Sequence, residues 1–268
     1  MGFPVESLHI NPHSSDTAAD RGQPKGSEAA ARQAGFYERY WEDADHHCEF
    51  NFEAAAHHRF PSICRVWGSL KCPDRVLDWG CGNGVLTYWM YENGFGSEVL
   101  GVDVSQTAVA YANEHFTRTR LSFRQVAPGT SAKELGRFDA LVCSHVLEHL
   151  EDPIAALRDL RGLAEWYVIE VPLESALVTD FLAARRGGSR SDNNPVGHLH
   201  FWNRQGFRTI MEEAGYHIVR DNVYVSSPFC RYVGARKRAV QRAVLAIFGT
   251  DIYRRCMATN YTVLARVK

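Results

Sequence analysis

The run Val76-Leu77-Asp78-Trp79-Gly80-Cys81-Gly82-Asn83-Gly84 constrains the fold of this chain more than any other. An apolar strand, Arg75–Trp79, ends in closely spaced glycines, and Val85–Asn93 then reads as a helix. Glycines at such a bend let the main chain approach a ligand closely, and the helix start offers N–H groups without intrahelical partners. A second strand, Glu98–Val104, follows and carries Gly101-Val102-Asp103. Next come a helix at Gln106–Phe116, strands at Leu121–Val126 and Phe138–Ser144, a helix from about Asp152 to Leu163 with Pro153 in its first turn, and a strand at Trp166–Val171. Arg204–Ala214 reads as a helix stopping at Gly215, Tyr216–Val225 as a sixth strand and Tyr261–Val267 as the last. This alternation predicts an α/β fold with a largely parallel sheet and helices on both faces.

The rest of the chain divides around that core. Residues 1–34 lack a hydrophobic period and read as a flexible leader. Residues 35–70 are rich in aromatics and read as a helical cap of two helices, with Pro61 at a boundary or kink. Residues 71–268 form the main domain, with a loop insertion at about 172–203 and a basic helical insertion at about 228–258. Within the loop, Arg185–Asn194 has a lid's composition, with little to bury and high backbone freedom.

Charge is balanced, with 30 Lys and Arg against 31 Asp and Glu, so nothing draws the whole molecule to nucleic acid or acidic membranes. The seven cysteines are odd in number, irregularly spaced and without C-x-x-C, which fits free thiols in a reducing compartment. With no secretory signal and no membrane-length apolar run, a cytoplasmic location is expected. Neither a membrane nor nucleic acid is an expected partner, and a homodimer is allowed.

The ligand class follows from the glycines and two acids. A dinucleotide fingerprint would place Gly or Ala where Val85 stands, and no P-loop lysine follows. Asp78 would repel a pyrophosphate and suits a cationic ligand, an amine or a sulfonium. Asp103 ends the next strand, where an acid accepts hydrogen bonds from ribose hydroxyls.

With DWGCGNG, GVDVS and FDALVCSHVLEHLEDP, the chain resembles the class I S-adenosylmethionine-dependent methyltransferases, in the small-molecule branch of ubiquinone-type O-methyltransferases and natural-product and sugar methyltransferases. The likeness covers roughly Asp74 to Ala214 and the strand Tyr261–Val267. It implies a Rossmann-like sheet of seven strands, the last antiparallel, and S-adenosylmethionine as cofactor. It assigns the methionine part to the loop of Asp78, Gly80, Cys81, Gly82, Asn83 and Gly84, the ribose to Asp103 and the adenine to Val104. Ser144 and His145 would lie near the sulfonium. One departure concerns the adenine amino group: relatives carry an acid after the third strand, where this chain has Gln125-Val126-Ala127, so Gln125 or backbone groups would substitute.

Methyl transfer needs alignment and dryness, and a hydroxyl nucleophile gains from a base. Three histidines are candidate bases: His145 by its strand-end position, and His198 and His200, which alternation would put on one side of the chain. His149 is read as structural or pocket-lining. The resemblance places Tyr37 over the methionine end, Tyr40 and Trp41 along the acceptor, and the segment Gly197–Trp202 at the acceptor pocket's border. His145, Glu148 and His149 have helical spacing and would share a face, yet no bound metal is expected; His46-His47-Cys48 with His57-His58 reads as a helix face. The expected reaction is methylation of a small-molecule hydroxyl. N- or C-methylation, an RNA or protein methyltransferase (supported by the basic stretch Arg231 to Arg255), and a non-catalytic or NAD-binding protein are the competing readings.

Overall fold

Seven strands take their places because each carries an apolar run that must be covered on both faces. They are β1 (Arg75–Trp79), β2 (Glu98–Asp103), β3 (Leu121–Gln125), β4 (Phe138–Ser144), β5 (Ala164–Leu173), β6 (Tyr216–Tyr224) and β7 (Thr259–Val267). In the computed structural model, which describes residues 34–43, 50–128, 132–174, 197–226, 234–257 and 259–268, they form one sheet in the order β3-β2-β1-β4-β5-β7-β6. β1 to β5 are mutually parallel, and β7 runs antiparallel to both β5 and β6. This is the seven-stranded Rossmann-like sheet expected, with the last strand reversed. The leader 1–33, the His46-His47-Cys48 group and the lid segment 185–194 lie outside the described residues.

Helices cover both faces. α1 (residues 34–40) continues into a 3-10 turn at Trp41–Asp43. α2 begins at residue 50, passes through a π-turn at Ala55–Arg59 and ends as Phe60–Trp67. α3 (Val85–Glu92), α4 (Gln106–Phe116), α5 (Pro153–Asp159), α6 (Arg204–Glu213) and α7 (Ala235–Cys256) follow. One core packs Ile63, Val66, Met90, Ala112 and Phe116 of α2 to α4 against Val76, Val168 and Leu264; the other packs Leu157, Phe207 and Met211 of α5 and α6 against Leu77, Leu141 and Val263. Burying each large apolar side chain contributes roughly 1.5–3 kcal/mol.

Local signals explain the helix starts. Ser105 caps α4 by accepting from the Ala108 N–H at 3.1 Å, Asp152 caps α5 through Ala155 at 2.8 Å, and Asn203 caps α6 through Gly206 at 2.8 Å. Pro61, which has no N–H to donate, stands just after the π-turn, where the helix has already widened. α2 is tied to the far side of the sheet: Asn222 donates to Ser62 Oγ at 2.8 Å, Ser62 and Thr262 hydroxyls meet at 2.7 Å, and Arg220 donates to the carbonyls of Val66 and Trp67. The basic stretch of the sequence is α7, kinked at Gly249, and it leaves Val240, Ile247, Phe248 and Ile252 exposed. Among the described residues no helix is long and apolar enough to cross a membrane.

Candidate functional site

The carboxyl ends of β1, β2 and β4 lie side by side, where parallel sheets bind ligands. A cavity of about 240 Å3 opens there, walled by Gly80 and Gly82 after β1, Asp103 and Val104 after β2, Val126, Ala127 and Pro128 after β3, and His145, Val146, His149 and Leu150 after β4. Tyr37 and Trp41 close it from α1.

The glycine loop is shaped by close approach. Gly80 and Gly82 have φ of +81° and +53°. A Cβ on Gly80 would strike the Val146 side chain, and one on Gly82 would sit 2.5 Å from the Trp41 indole. The N–H groups of Gly80 and Cys81 donate to the Val102 carbonyl at 2.8 and 3.0 Å, which ties the loop to β2. The other loop residues face elsewhere. Cys81 is buried and packs behind Gly101. Asn83 is buried, with its oxygen accepting from Asn51 and its amide nitrogen unpartnered, and Gly84 caps α3 against Ala112 and Phe123.

Asp78 departs from expectation. Its side chain is 2% exposed, off the cavity wall, and accepts the Thr87 hydroxyl at 2.6 Å. Burial outweighs that bond and pushes its pKa up to about 6. Its partner is thus Thr87 on α3 rather than a ligand cation, because the strand pleat turns it into the sheet's interior.

Asp103 does face the cavity. One carboxylate oxygen accepts the Gly82 N–H at 2.8 Å and the other the Ser105 N–H at 2.9 Å, leaving a lone pair on each for further donors. Gln125 does not line the cavity: its amide donates to the Val104 carbonyl at 3.0 Å. It braces Val104, and the apolar rim is left to Val126, Ala127 and Pro128.

α1 is held over the mouth by Glu38, whose carboxylate accepts the Gln106 and Thr107 N–H groups at 2.9 and 3.0 Å and the Thr107 hydroxyl at 2.5 Å. An acid from a distant segment thereby satisfies the start of α4, where the helix dipole favours it. Tyr37 packs edge-on against His149, and its buried hydroxyl has no partner. Tyr40 packs on Tyr37 and Trp41 and is not in the wall.

His145, just past β4, is the one described non-glycine residue at positive φ, +57°. Its Nδ1 lies 3.1 Å from Glu148 and its Nε2 3.2 Å from Glu170, both buried carboxylates. Burial and the Arg59 charge push its pKa down, but the two carboxylates outweigh them and hold it above the ordinary histidine value. Both ring nitrogens are turned to carboxylates, so neither is directed at an acceptor proton. This corrects the expectation of His145 as base. His145, Glu148 and His149 do come together, through a 3-10 turn, Leu147–His149, rather than an α-helix face: His145 Nδ1 and His149 Nε2 lie 3.1 and 3.8 Å from the same Glu148 oxygen.

The pair after the loop insertion also differs from expectation. Residues 197–203 are irregular, not strand-like, because the N–H groups of Leu199 and His200 both donate to the Glu148 carbonyl. His198 Nδ1 lies 2.6 Å from Glu174, with its ring 4.8 Å from that of His149. His200 turns away: its Nε2 meets the Leu150 carbonyl at 2.8 Å, and its ring stacks on Trp202, itself buried against Phe207. His200 and Trp202 are packing residues and do not reach the cavity. Glu148, His149 and His198 bring ligand-capable atoms within 4.8 Å of one another, a carboxylate–imidazole set that suits a divalent transition ion.

Sequence reasoning passed over Glu170, the hub of this region. It accepts from Ser144 at 3.2 Å, Tyr224 at 3.0 Å and Thr262 at 2.8 Å, as well as facing His145. An acid inside the apolar run Trp166–Val171 was the available signal, since a buried charge requires partners.

A methyltransferase-domain family matches residues 32–221, the greater part of the chain. The chain belongs to that family. The ubiquinone biosynthesis O-methyltransferase of Pseudomonas aeruginosa (strain LESB58) is 34% identical to this methyltransferase-domain protein over 94 residues, which cover 34% of this chain and 40% of that one. The chain therefore aligns with less than half the length of that relative. Magnesium protoporphyrin IX methyltransferase from Synechocystis PCC 6803, solved with bound S-adenosylhomocysteine, shares the fold with a TM-score of 0.52 and 17% identity over 93% of this chain and 90% of that one. The [4+2]-cyclase SpnF shares it with a TM-score of 0.53 and 19% identity over 76% and 79%. The methyl donor of the family is S-adenosylmethionine. The residues present fit it: a cradle that Cβ atoms would fill at Gly80 and Gly82, an acid with spare lone pairs at Asp103, and an unpartnered buried hydroxyl at Tyr37.

Proposed function

We propose that this protein transfers the methyl group of S-adenosylmethionine to a hydroxyl oxygen of a small-molecule acceptor. The observation that carries the reading is the walled cavity in which the glycine loop, Asp103 and the α1 aromatics converge. Bound S-adenosylmethionine supplies an electrophilic methyl group on a cationic sulfur. Asp103 accepts the ribose hydroxyls with its remaining lone pairs, the loop cradles the amino-acid end, and Val104, Val126 and Pro128 enclose the base. Tyr37 and Trp41 exclude water and leave room for a small acceptor rather than a polymer.

The proton of the hydroxyl passes to His149. It lines the cavity, and burial lowers its pKa, so the ring is neutral near pH 7. The name of the Pseudomonas relative supports oxygen as the methylated atom. The cyclase on the same fold shows that fold alone does not fix the reaction. α7 favours an RNA acceptor only by charge, since its exposed surface also carries Val240, Ile247 and Phe248.

The test is a hydroxyl, amine and thiol acceptor library followed by S-adenosylhomocysteine release, with cofactor binding measured by calorimetry. Release with hydroxyl acceptors, lowered about 10²–10⁴-fold in His149→Gln at unchanged cofactor affinity, is expected. Release with amines alone would refute oxygen methylation, and no cofactor binding would refute the whole reading.

A further inference from the structure

Behind His145 lies a second space of about 90 Å3, walled by Phe50, Ala54, His58, Arg59, Tyr224 and Asn260 among others. His145 belongs to the walls of both spaces, so they abut at the residue that ends β4. Arg59 is the last residue of the π-turn, a helix irregularity frequent at functional sites. It is half-buried, and its guanidinium makes no hydrogen bond or ion pair among the described residues.

None of the carboxylates beside the space pairs with it directly. Glu170 is occupied by His145, Ser144, Tyr224 and Thr262, and Glu148 by His145. His58 stacks on Tyr224 with rings 11° from parallel, and burial holds it below the ordinary histidine pKa, so it adds no second cation. Asn260 is turned to Ser226 at 2.9 Å. The Arg59 charge is nevertheless felt inward, at Asp78, His145 and Glu170. A partly desolvated guanidinium that no described carboxylate binds directly, beside aromatic walls, is a receptor for a flat or tetrahedral oxyanion.

Resting on the methyl-transfer reading above, we propose that the acceptor carries an oxyanion, a carboxylate or a phosphate, which enters this second space and pairs with Arg59. The anion anchors the far end of the acceptor while its nucleophilic atom stays on the cofactor side of His145. Arg59 thereby selects acidic acceptors over their neutral counterparts.

Calorimetry on the whole protein, with and without S-adenosylhomocysteine, tests this with 4-hydroxybenzoate, its neutral amide 4-hydroxybenzamide, and inorganic phosphate. The acid is expected to bind about tenfold to a hundredfold more tightly than the amide. Arg59→Gln should abolish that preference and keep S-adenosylhomocysteine affinity, while Arg59→Lys retains part of it. Phosphate binding that Arg59→Gln removes would support the same site and assign it to phosphorylated acceptors. No anion binding, equal binding of acid and amide, or a preference that survives Arg59→Gln overturns the proposal. Failure of the wild type to bind S-adenosylhomocysteine strikes the methyl-transfer reading instead, and the anion measurements without it still decide the Arg59 site.

Discussion

Asp103→Asn changes one atom at the junction of loop and cofactor. In the wild type each carboxylate oxygen takes a backbone N–H, from Gly82 at 2.8 Å and Ser105 at 2.9 Å. Asparagine has one acceptor oxygen, so one of these N–H groups faces an NH2 group instead. Losing a bond to a charged group costs about 1.5–3 kcal/mol, and a buried donor left unpaired costs about 1–3 kcal/mol. Part of this falls on the free protein, because Gly82 and the start of α4 both lean on Asp103; burial also holds its pKa above the ordinary carboxylate value, so losing the charge offsets part of that loss and the urea midpoint should fall only modestly. The rest falls on the cofactor, since one ribose hydroxyl also loses its acceptor. S-adenosylhomocysteine affinity should drop about tenfold to a hundredfold by calorimetry, at about 1.4 kcal/mol per factor of ten. A folded Asp103→Asn variant with unchanged affinity and unchanged urea midpoint would show that Asp103 is neither the loop's anchor nor the ribose acceptor.

Gly82→Val combines positive φ with a side chain driven into Trp41, so cofactor affinity should fall at least tenfold and Trp fluorescence should shift; normal binding would mean the loop does not hold the ligand. For Asp78 the folded pKa, about 6, lies above the unfolded value, so its ionisation opposes folding increasingly as pH rises from about 4 to about 6 and fully above that. Asp78→Asn should therefore match the wild type at pH 3.5 and exceed it at pH 8 by up to about 3 kcal/mol, with the Thr87 bond retained; lower stability at pH 8 contradicts this. The folded pKa of His145 is raised, so its contribution is full below about 6.5 and lost as pH rises through the folded value, whereas Glu170, lowered in the fold, contributes above about 4.3 and loses its contribution as pH falls. Urea midpoints from pH 5 to 9 should decline on the alkaline side in the wild type and less so in Glu170→Gln; parallel profiles would sink the pairing.

The strands and helices from Arg75 to Val171 were legible because each carries its own periodicity and its own cap. β7's place between β5 and β6 was not, since nothing in Tyr261–Val267 names its neighbours; the family resemblance supplied the reversed direction. At the site, Asp103 and the glycines were legible because their task is local, a bend and a strand end. Asp78 was misread because neighbouring strand residues point to opposite sides, and sequence adjacency to the glycines hides that. His198 and His200 were paired by an alternation that holds only in a strand, whereas the Glu148 carbonyl folds that segment into an irregular turn. Arg59 and Glu170 escaped notice because their meaning lies in partners, or the lack of them, from segments far away in the chain.

The position of β7 has a consequence for biosynthesis. β6 has no sheet neighbour except β7, and β5 is flanked on that side by β7 alone. As the chain emerges from the ribosome, β1 to β5 can pair in order, but β6 and α6 must wait, with the edge of β5 open, until Thr259–Val267 has been made. The open edge of β5 is Tyr167 to Leu173, a largely apolar stretch interrupted by Glu170 and Pro172. Long-range pairing of this kind is slow and exposes the chain to aggregation.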